Sequence, residues 1–156
     1  DGIRDSSTSR GLGDVYKRQV KKLSLIDAEK FIASNDFGAS LIFSGTVRSQ
    51  NNNKSVLGIT YDSHDALVIK SFEEIYNETE QKLGIKNKAV FIEHVKGHLK
   101  LSEKSILIGV ACKHRDEAYR LSRFIIEEIK KRSPIWKKEH YENEDSKWLK
   151  GISLTT

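Results

Sequence analysis

Five cationic side chains fall within nine residues near the end of the chain, around its only proline and one of its two tryptophans. They lie in the stretch KKRSPIWKKEH, residues 130–140. Grouped ammonium and guanidinium groups bind anions, and each positive charge makes it harder for a neighbouring lysine to stay protonated. A lysine in such a group can act as a proton donor, a base or a nucleophile near neutral pH. The alternative is a solvated basic helix end, which the helix dipole favours without any function.

Pro134 decides how these cations are related in space. It ends the preceding helix, so Lys130 and Lys137 cannot share a helical face although they are seven residues apart. A chain that turns at Ser133 and Pro134 can fold Lys137 back toward Lys130, with Trp136 as a packed structural anchor. The turn therefore predicts that the two lysines meet.

Three further residues could contribute to an anion site. Arg48 ends a predicted strand beside a loop of small polar residues, where it points either into a cleft or into water. His114 and Arg115 precede a predicted helix, and cationic donors beside free backbone N–H groups suit a phosphate or a carboxylate. The alternative for this pair is an ordinary surface position.

Histidines and the single cysteine raise the question of a metal or sulfur site. His94 and His98 lie in a predicted hairpin without a third ligand at a useful spacing, so no metal is predicted. Cys112 excludes an intramolecular disulfide and is predicted to be a buried strand residue. One cysteine also fits a reducing compartment, which predicts a cytoplasmic protein.

Apolar periodicity predicts the elements that must position these residues. The predicted helices are a short one capped by Ser24 and followed by Gly38, one from residue 64 or 65 to Leu83 with Gly84 as C-cap, and one over about Arg115 to Lys131, with Tyr119 among its buried residues. The predicted strands are 39–47, 55–63, 88–99 and 104–112. The first two strands are predicted to form one antiparallel hairpin and the last two strands another. A polar tail follows the last helix. The order predicts an α+β fold.

Length and composition limit the alternatives. The chain of 156 residues with 37% apolar content fits one domain, assigned here to residues 20–156, and no apolar run is long enough to span a bilayer. Residues 1–19 are polar, rich in Gly and Ser and similar to translated sequencing-adapter DNA, so they are predicted to be an extraneous, disordered segment. The formal net charge of +5 favours anionic partners without specifying which.

Three motifs in order resemble the large, catalytic subunit family of molybdopterin synthase. They are FSGTVRSQN at 43–51, KHR at 113–115, and KKRSPIWKKEH followed by KWLKG at 147–151. The resemblance covers residues 21–151. It implies an α/β-hammerhead fold with antiparallel strand pairs and three main helices. It also implies a sulfurtransferase that inserts two sulfurs into cyclic pyranopterin monophosphate to form the dithiolene of molybdopterin.

The resemblance further implies partners and residue roles. Sulfur arrives as the C-terminal Gly-Gly thiocarboxylate of a ubiquitin-like small subunit, and two large subunits form the central homodimer of a heterotetramer. Lys130 and Lys137 match the catalytic lysines, whereas Arg48, His114 and Arg115 match substrate-binding residues. Lys131, Arg132 and Lys138 match supporting charges that bind the small-subunit tail or the anions. No cofactor, metal, membrane or nucleic acid is implied.

Two sequence features stand beside this interpretation. His64 occupies a position that is often aromatic in the family, which predicts an altered dimer surface or small-subunit contact. The functional alternative is a non-enzymatic basic module that binds nucleic acid or an acidic protein. Such modules usually interleave aromatic and basic residues for stacking on single strands, which this cluster does not do.

Overall fold

The structure, a computed structural model, describes residues 14–142 and 147–149. Its helices are α1 (Leu25–Ile32), α2 (Asp65–Leu83) and α3 (Arg115–Arg132). Its strands are β1 (Asp14–Val20), β2 (Ala39–Thr46), β3 (Gln50–Asn51), β4 (Lys54–Ser63), β5 (Lys88–Val95), β6 (Gly97–Lys100), β7 (Lys104–Cys112), β8 (Ile135–Tyr141) and β9 (Lys147–Trp148). The predicted α+β class and its three helices are confirmed. None of the described helices is long and apolar enough to cross a membrane.

Local side-chain chemistry fixes the helix ends. Ser24 Oγ accepts a hydrogen bond from the Asp27 N–H at 3.2 Å, which caps α1 as predicted. Gly84 ends α2 with φ of 70°, a left-handed conformation that glycine adopts without a Cβ clash. His64 caps the start of α2, since its Nδ1 accepts from the Leu67 N–H at 3.3 Å. The unusual histidine thus has a local structural role.

The main sheet has the strand order β1-β5-β7-β2. β7 pairs antiparallel with both β5 and β2, and β1 pairs parallel with β5. Helices α2 and α3 cover one face of this sheet, where Phe72, Ile108 and Ile125 belong to the largest apolar cluster. Helix α1 covers the other face through Ala28 and Ile32. Burial on both faces explains why β5 and β7 are almost continuously apolar.

The predicted hairpin between the first two strands is wrong. β2 pairs with β7, whereas β4 belongs to a second sheet and pairs with β6 and β8. β2 places Leu41 and Ile42 against clusters on opposite faces of the main sheet, a double burial that pairing with β4 would not provide. The Asn-rich connection instead forms its own hairpin, in which β3 pairs with β4 across Asn52 and Asn53. Both asparagines have positive φ, 50° and 62°, as a two-residue hairpin turn requires.

Two segments that sequence reasoning left outside the fold are strands. The predicted disorder of residues 1–19 is wrong for 14–19, because β1 pairs with β5 and the buried Tyr16 ring stacks on Phe91 at 4.5 Å. The extraneous origin of the segment stays a prediction. The remainder, residues 1–13, lies outside the described residues. The predicted polar tail is wrong for residues 135–141, which form β8 along β4. These strands have weak apolar patterns of their own and depend on partners that are distant in sequence.

Tyr119 is also not buried as predicted. It is 63% exposed, because α3 turns the face containing Ala118, Leu121 and Ile125 toward the sheet. Tyr119 follows Ala118 directly and therefore points away from that face.

Candidate active site

A cavity of about 420 Å³ lies where the main sheet, the second sheet and the end of α3 meet. Arg48, Lys130 and Lys137 all line it. Arg48 follows β2, Lys130 is in the last turn of α3, and Lys137 is on β8. The structure therefore brings together the two lysines that the Pro134 turn relates, and adds the strand-end arginine.

The end of α3 is fixed by a buried serine pair. Ser133 is the C-cap, and its N–H donates to Ile129 O at 3.0 Å. The Ser133 and Ser71 hydroxyl oxygens are 2.7 Å apart, which joins the turn to α2. Past Pro134 the chain enters β8, where Ile135 packs against the main apolar cluster. This fixed turn returns the chain toward the last turn of α3.

Strand alternation decides which β8 side chains enter the cavity. Ile135, Lys137 and Glu139 line it, whereas Trp136 and Lys138 do not. Lys138 Nζ lies 5.6 Å from the centre of the Trp148 ring, a cation–π contact outside the cavity. The predicted supporting role of Lys138 inside the anion site is therefore not supported by its position.

Trp136 is not the packed anchor that the sequence suggested. It is half-buried and belongs to none of the three apolar clusters of the described residues. The Ser133 hydrogen bonds and the packing of Ile135 hold the turn instead.

The surroundings of Lys137 lower its pKa below the ordinary lysine value. Burial has the largest effect, because the ammonium loses hydration. The positive charges of Lys130 and Arg48 lower the pKa further, whereas the negative charge of Glu139 opposes them. The protonation of Lys137 therefore depends on the charges around the cavity.

Glu139 is a cavity residue that sequence reasoning missed. Its side chain is buried, and its Oε1 accepts a hydrogen bond from Asn51 Nδ2 at 2.6 Å. Its Oε2 has no hydrogen-bond partner among the described residues. The alternation of side chains along a strand could have predicted this position. Glu139 follows Lys137 by two residues and therefore faces the same side of β8.

Two other predicted supporting cations form ion pairs outside the cavity. Arg132 Nη2 lies 2.7 Å from Glu78 Oε2, which links the end of α3 to α2. Lys131 Nζ lies 3.6 Å from Glu128 Oε2 one turn earlier. Neither residue lines the cavity, so their predicted contact with bound anions is not supported within this chain.

His114 and Arg115 are not brought to the cavity of their own chain. They are exposed at the start of α3, about 24 Å along the helix from Lys130 at 1.5 Å per residue. His114 is the N-cap residue, and its side chain makes no capping hydrogen bond. The expectation that one pocket of one chain collects all five predicted residues is therefore wrong. Helix α3 begins at the KHR motif and ends at the KKRSPIWKKEH motif, so its length keeps the side chains of the two motifs apart.

The remaining histidines and the cysteine have distinct environments. His94 lines the cavity, while His98 lies in the second sheet with Nδ1 3.1 Å from Thr60 Oγ1. Cys112 is buried, and desolvation raises the pKa of its thiol to about 11. Among the residues that the structure describes, no three His, Cys, Asp or Glu side chains are grouped to hold a metal ion.

Comparison with known proteins places this arrangement in a family. The family model described as "MoaE protein" matches residues 18–132. The molybdopterin synthase catalytic subunit of Synechococcus elongatus is 40% identical over 132 residues, which cover 85% of this chain and 79% of that protein. The catalytic subunit of Pyrococcus abyssi is 32% identical over 134 residues, or 86% and 88% of the two chains.

Solved structures give the same result for the fold. The crystal structure of molybdopterin synthase from Staphylococcus aureus matches with a TM-score of 0.78 at 30% identity, over 85% of this chain and 95% of that one. A chain from the complex of subunits 1 and 2 of molybdopterin-converting factor of Helicobacter pylori shares the fold with a TM-score of 0.69 at 24% identity, over 86% and 90% of the two chains. From its sequence and its fold, this chain belongs to the MoaE family.

Proposed function

We propose that this chain is the catalytic subunit of a molybdopterin synthase. It transfers sulfur from the thiocarboxylated C-terminus of a ubiquitin-like small subunit to cyclic pyranopterin monophosphate, which yields the molybdopterin dithiolene. The observation that carries the proposal is the meeting of Arg48, Lys130 and Lys137 in one cavity. The names of the Synechococcus and Pyrococcus relatives support the same reaction.

The chemistry needs a site for two anions and a source of protons. A cyclic phosphate and a thiocarboxylate repel each other, and three cations around one cavity offset that repulsion. When the sulfur attacks the pterin and a carbon–oxygen bond breaks, the leaving oxygen must receive a proton. Water must then cleave the thioester bond, which leaves the sulfur on the pterin and releases the small subunit as a carboxylate. We assign Lys130 as the proton donor or acceptor and Lys137 as the group that stabilises developing negative charge. Arg48 is assigned to the phosphate and pterin.

His114 and Arg115 keep their substrate-binding assignment only through a second copy of the chain. They cannot reach the cavity of their own chain, because α3 separates them from Lys130. In the expected homodimer, the start of α3 from one copy would complete the cavity of the other. The homodimer would bind a small subunit on each side to form the heterotetramer. The Helicobacter pylori complex is a precedent for pairing of two subunits in a protein of this fold.

Replacing Lys130 tests the proposal directly. Lys130→Ala should reduce product formation at least 100-fold in an assay with thiocarboxylated small subunit and pterin precursor, because the proton transfer loses its donor. The exposed Lys131, which pairs with Glu128, provides the matched control Lys131→Ala, with activity within about twofold of wild type. Unchanged turnover in a folded Lys130→Ala protein would refute the assignment.

A cytoplasmic location stays a prediction that localisation of the tagged protein would test.

A further inference from the structure

A buried histidine that the proposed mechanism does not use lines the same cavity as the cations. His94 is on β5, its side chain is only 6% exposed, and it shares the cavity wall with Lys137 and Arg48. Its ring meets the Tyr61 ring edge to face, with centroids 4.9 Å apart and an angle of 76°. Tyr61, which contacts the imidazole, lies opposite Lys137 in the β4–β8 register.

One hydrogen bond fixes which nitrogen of the ring carries the proton. His94 Nδ1 lies 2.7 Å from the Val95 carbonyl oxygen. A carbonyl oxygen only accepts, so Nδ1 donates and Nε2 keeps a lone pair. Among the described residues Nε2 has no hydrogen-bond partner. Because Nδ1 is used by the Val95 carbonyl and the ring lines the cavity, Nε2 is the nitrogen available to a bound molecule.

The ring differs in charge from the other basic groups of the cavity. Burial lowers the pKa of His94 to about 4, since the imidazolium would lose its hydration. At neutral pH the ring is uncharged and can accept a hydrogen bond, whereas a guanidinium or a protonated lysine only donates. It cannot bind a phosphate or thiocarboxylate oxygen through Nε2, because two acceptors do not form a hydrogen bond. Its natural ligand is an N–H or O–H donor.

We propose that His94 Nε2 accepts a hydrogen bond from an N–H group of the bound pterin and thereby fixes the orientation of the heterocycle between the cations. The inference rests on the proposed function, because it takes the pterin as the guest of this cavity. A pterin has ring N–H and amino donors on the heterocycle, whereas its phosphate is an acceptor. Cations bind the anionic part of the substrate, and His94 selects which edge of the ring faces β5.

Two substitutions of His94 test whether binding depends on the hydrogen-bond acceptor at the Nε2 position or on the imidazole ring as a whole. His94→Asn keeps a short side-chain donor near the Val95 carbonyl but loses the acceptor at the Nε2 position. His94→Gln can place its amide oxygen near the Nε2 position. His98→Asn is the matched control, since His98 is exposed on β6 and does not line the cavity. Binding of cyclic pyranopterin monophosphate, of inorganic phosphate and of the small subunit is measured by calorimetry for each protein.

The expected result is selective. His94→Asn should bind the pterin about tenfold more weakly, the loss typical of one buried hydrogen bond, while His94→Gln and His98→Asn stay within about threefold of wild type. Binding of phosphate and of the small subunit should not change. Wild-type affinity for the pterin in His94→Asn overturns the inference, as does a loss confined to the small subunit, whose glycine N–H groups are the competing donors. A wild-type chain that binds no pterin removes the proposed function, and the inference with it.

A measurement on the unsubstituted chain keeps the test independent of variant folding. In protein labelled with ¹⁵N-histidine, the Nε2 resonance of the neutral His94 ring should move when the pterin is added and stay in place when phosphate is added. A hydrogen bond accepted at Nε2 changes the shielding of that nitrogen directly. An Nε2 resonance that saturating pterin leaves in place overturns the inference.

Discussion

Both ends of α3 contain predicted site cations, yet only the C-terminal end lines the cavity of its own chain. At the C-terminal end, the chain turns at Ser133 and returns as β8, which places Lys137 across the cavity from Lys130. At the N-terminal end, β7 leads directly into the helix, and His114 and Arg115 stay exposed. The last turn of α3 contains Lys130, Lys131 and Arg132, whereas the first turn contains Asp116 and Glu117 beside Arg115. The returning strand β8 adds a second wall to the cavity at the C-terminal end.

The largest effect is expected beside the C-terminal end of α3, where β8 contributes Lys137 to the cavity. Lys137→Ala should lower turnover at least 100-fold, because Lys137 faces the cavity and stabilises developing charge there. The neighbouring Lys138→Ala is the matched control, since the strand period turns Lys138 toward Trp148, and it should change turnover less than about threefold. Equal losses in the two variants would show that activity depends on the total positive charge of β8 and not on which side of the strand a lysine faces.

The same contrast shows how far the sequence reaches. The Pro134 turn predicts the meeting of Lys130 and Lys137, because a proline that ends a helix is a local event. The length of the predicted helix also gives the distance between His114 and Lys130, so the sequence could have predicted that separation. The pairing of β4 with β8 could not, since it joins residues about eighty positions apart and β8 has no apolar alternation of its own. The motifs indicate the family and the three cations that line the cavity, but the supporting cations Lys131, Arg132 and Lys138 do not line it.

The N-terminal end of α3 can be tested for a role in the cavity of a second copy. Arg115→Ala should lower turnover about tenfold or more if the homodimer completes the site. Mixed with the inactive Lys130→Ala chain, it should regain activity, because a mixed dimer has one cavity with an intact Lys130 and an intact partner Arg115. Turnover and dimer exchange are measured together in the refolded mixture. Activity that does not rise, despite demonstrated mixed dimers, would place Arg115 outside the site.

A smaller effect is expected at the ion pair that joins α3 to α2. Arg132→Ala should lower the free energy of unfolding by about 1 kcal/mol, because the partly exposed guanidinium loses its contact with Glu78. Turnover at 25 °C should stay within about threefold of wild type, since Arg132 does not line the cavity. Urea unfolding beside the activity assay separates the two properties. A hundredfold loss of turnover at unchanged stability would restore Arg132 to the anion site.

The finest test changes the balance of charge within the cavity. Glu139 raises the pKa of Lys137 while burial, Lys130 and Arg48 lower it, so Glu139→Gln should lower that pKa further. A pH titration of the Lys137 side-chain resonance by NMR measures the change, and Glu142→Gln at an exposed position controls for net charge. Because Lys137 stabilises negative charge only when protonated, the alkaline limb of the pH–rate profile should move to lower pH with it. If the resonance shifts while the alkaline limb does not, the protonated form of Lys137 is not the one that turnover requires.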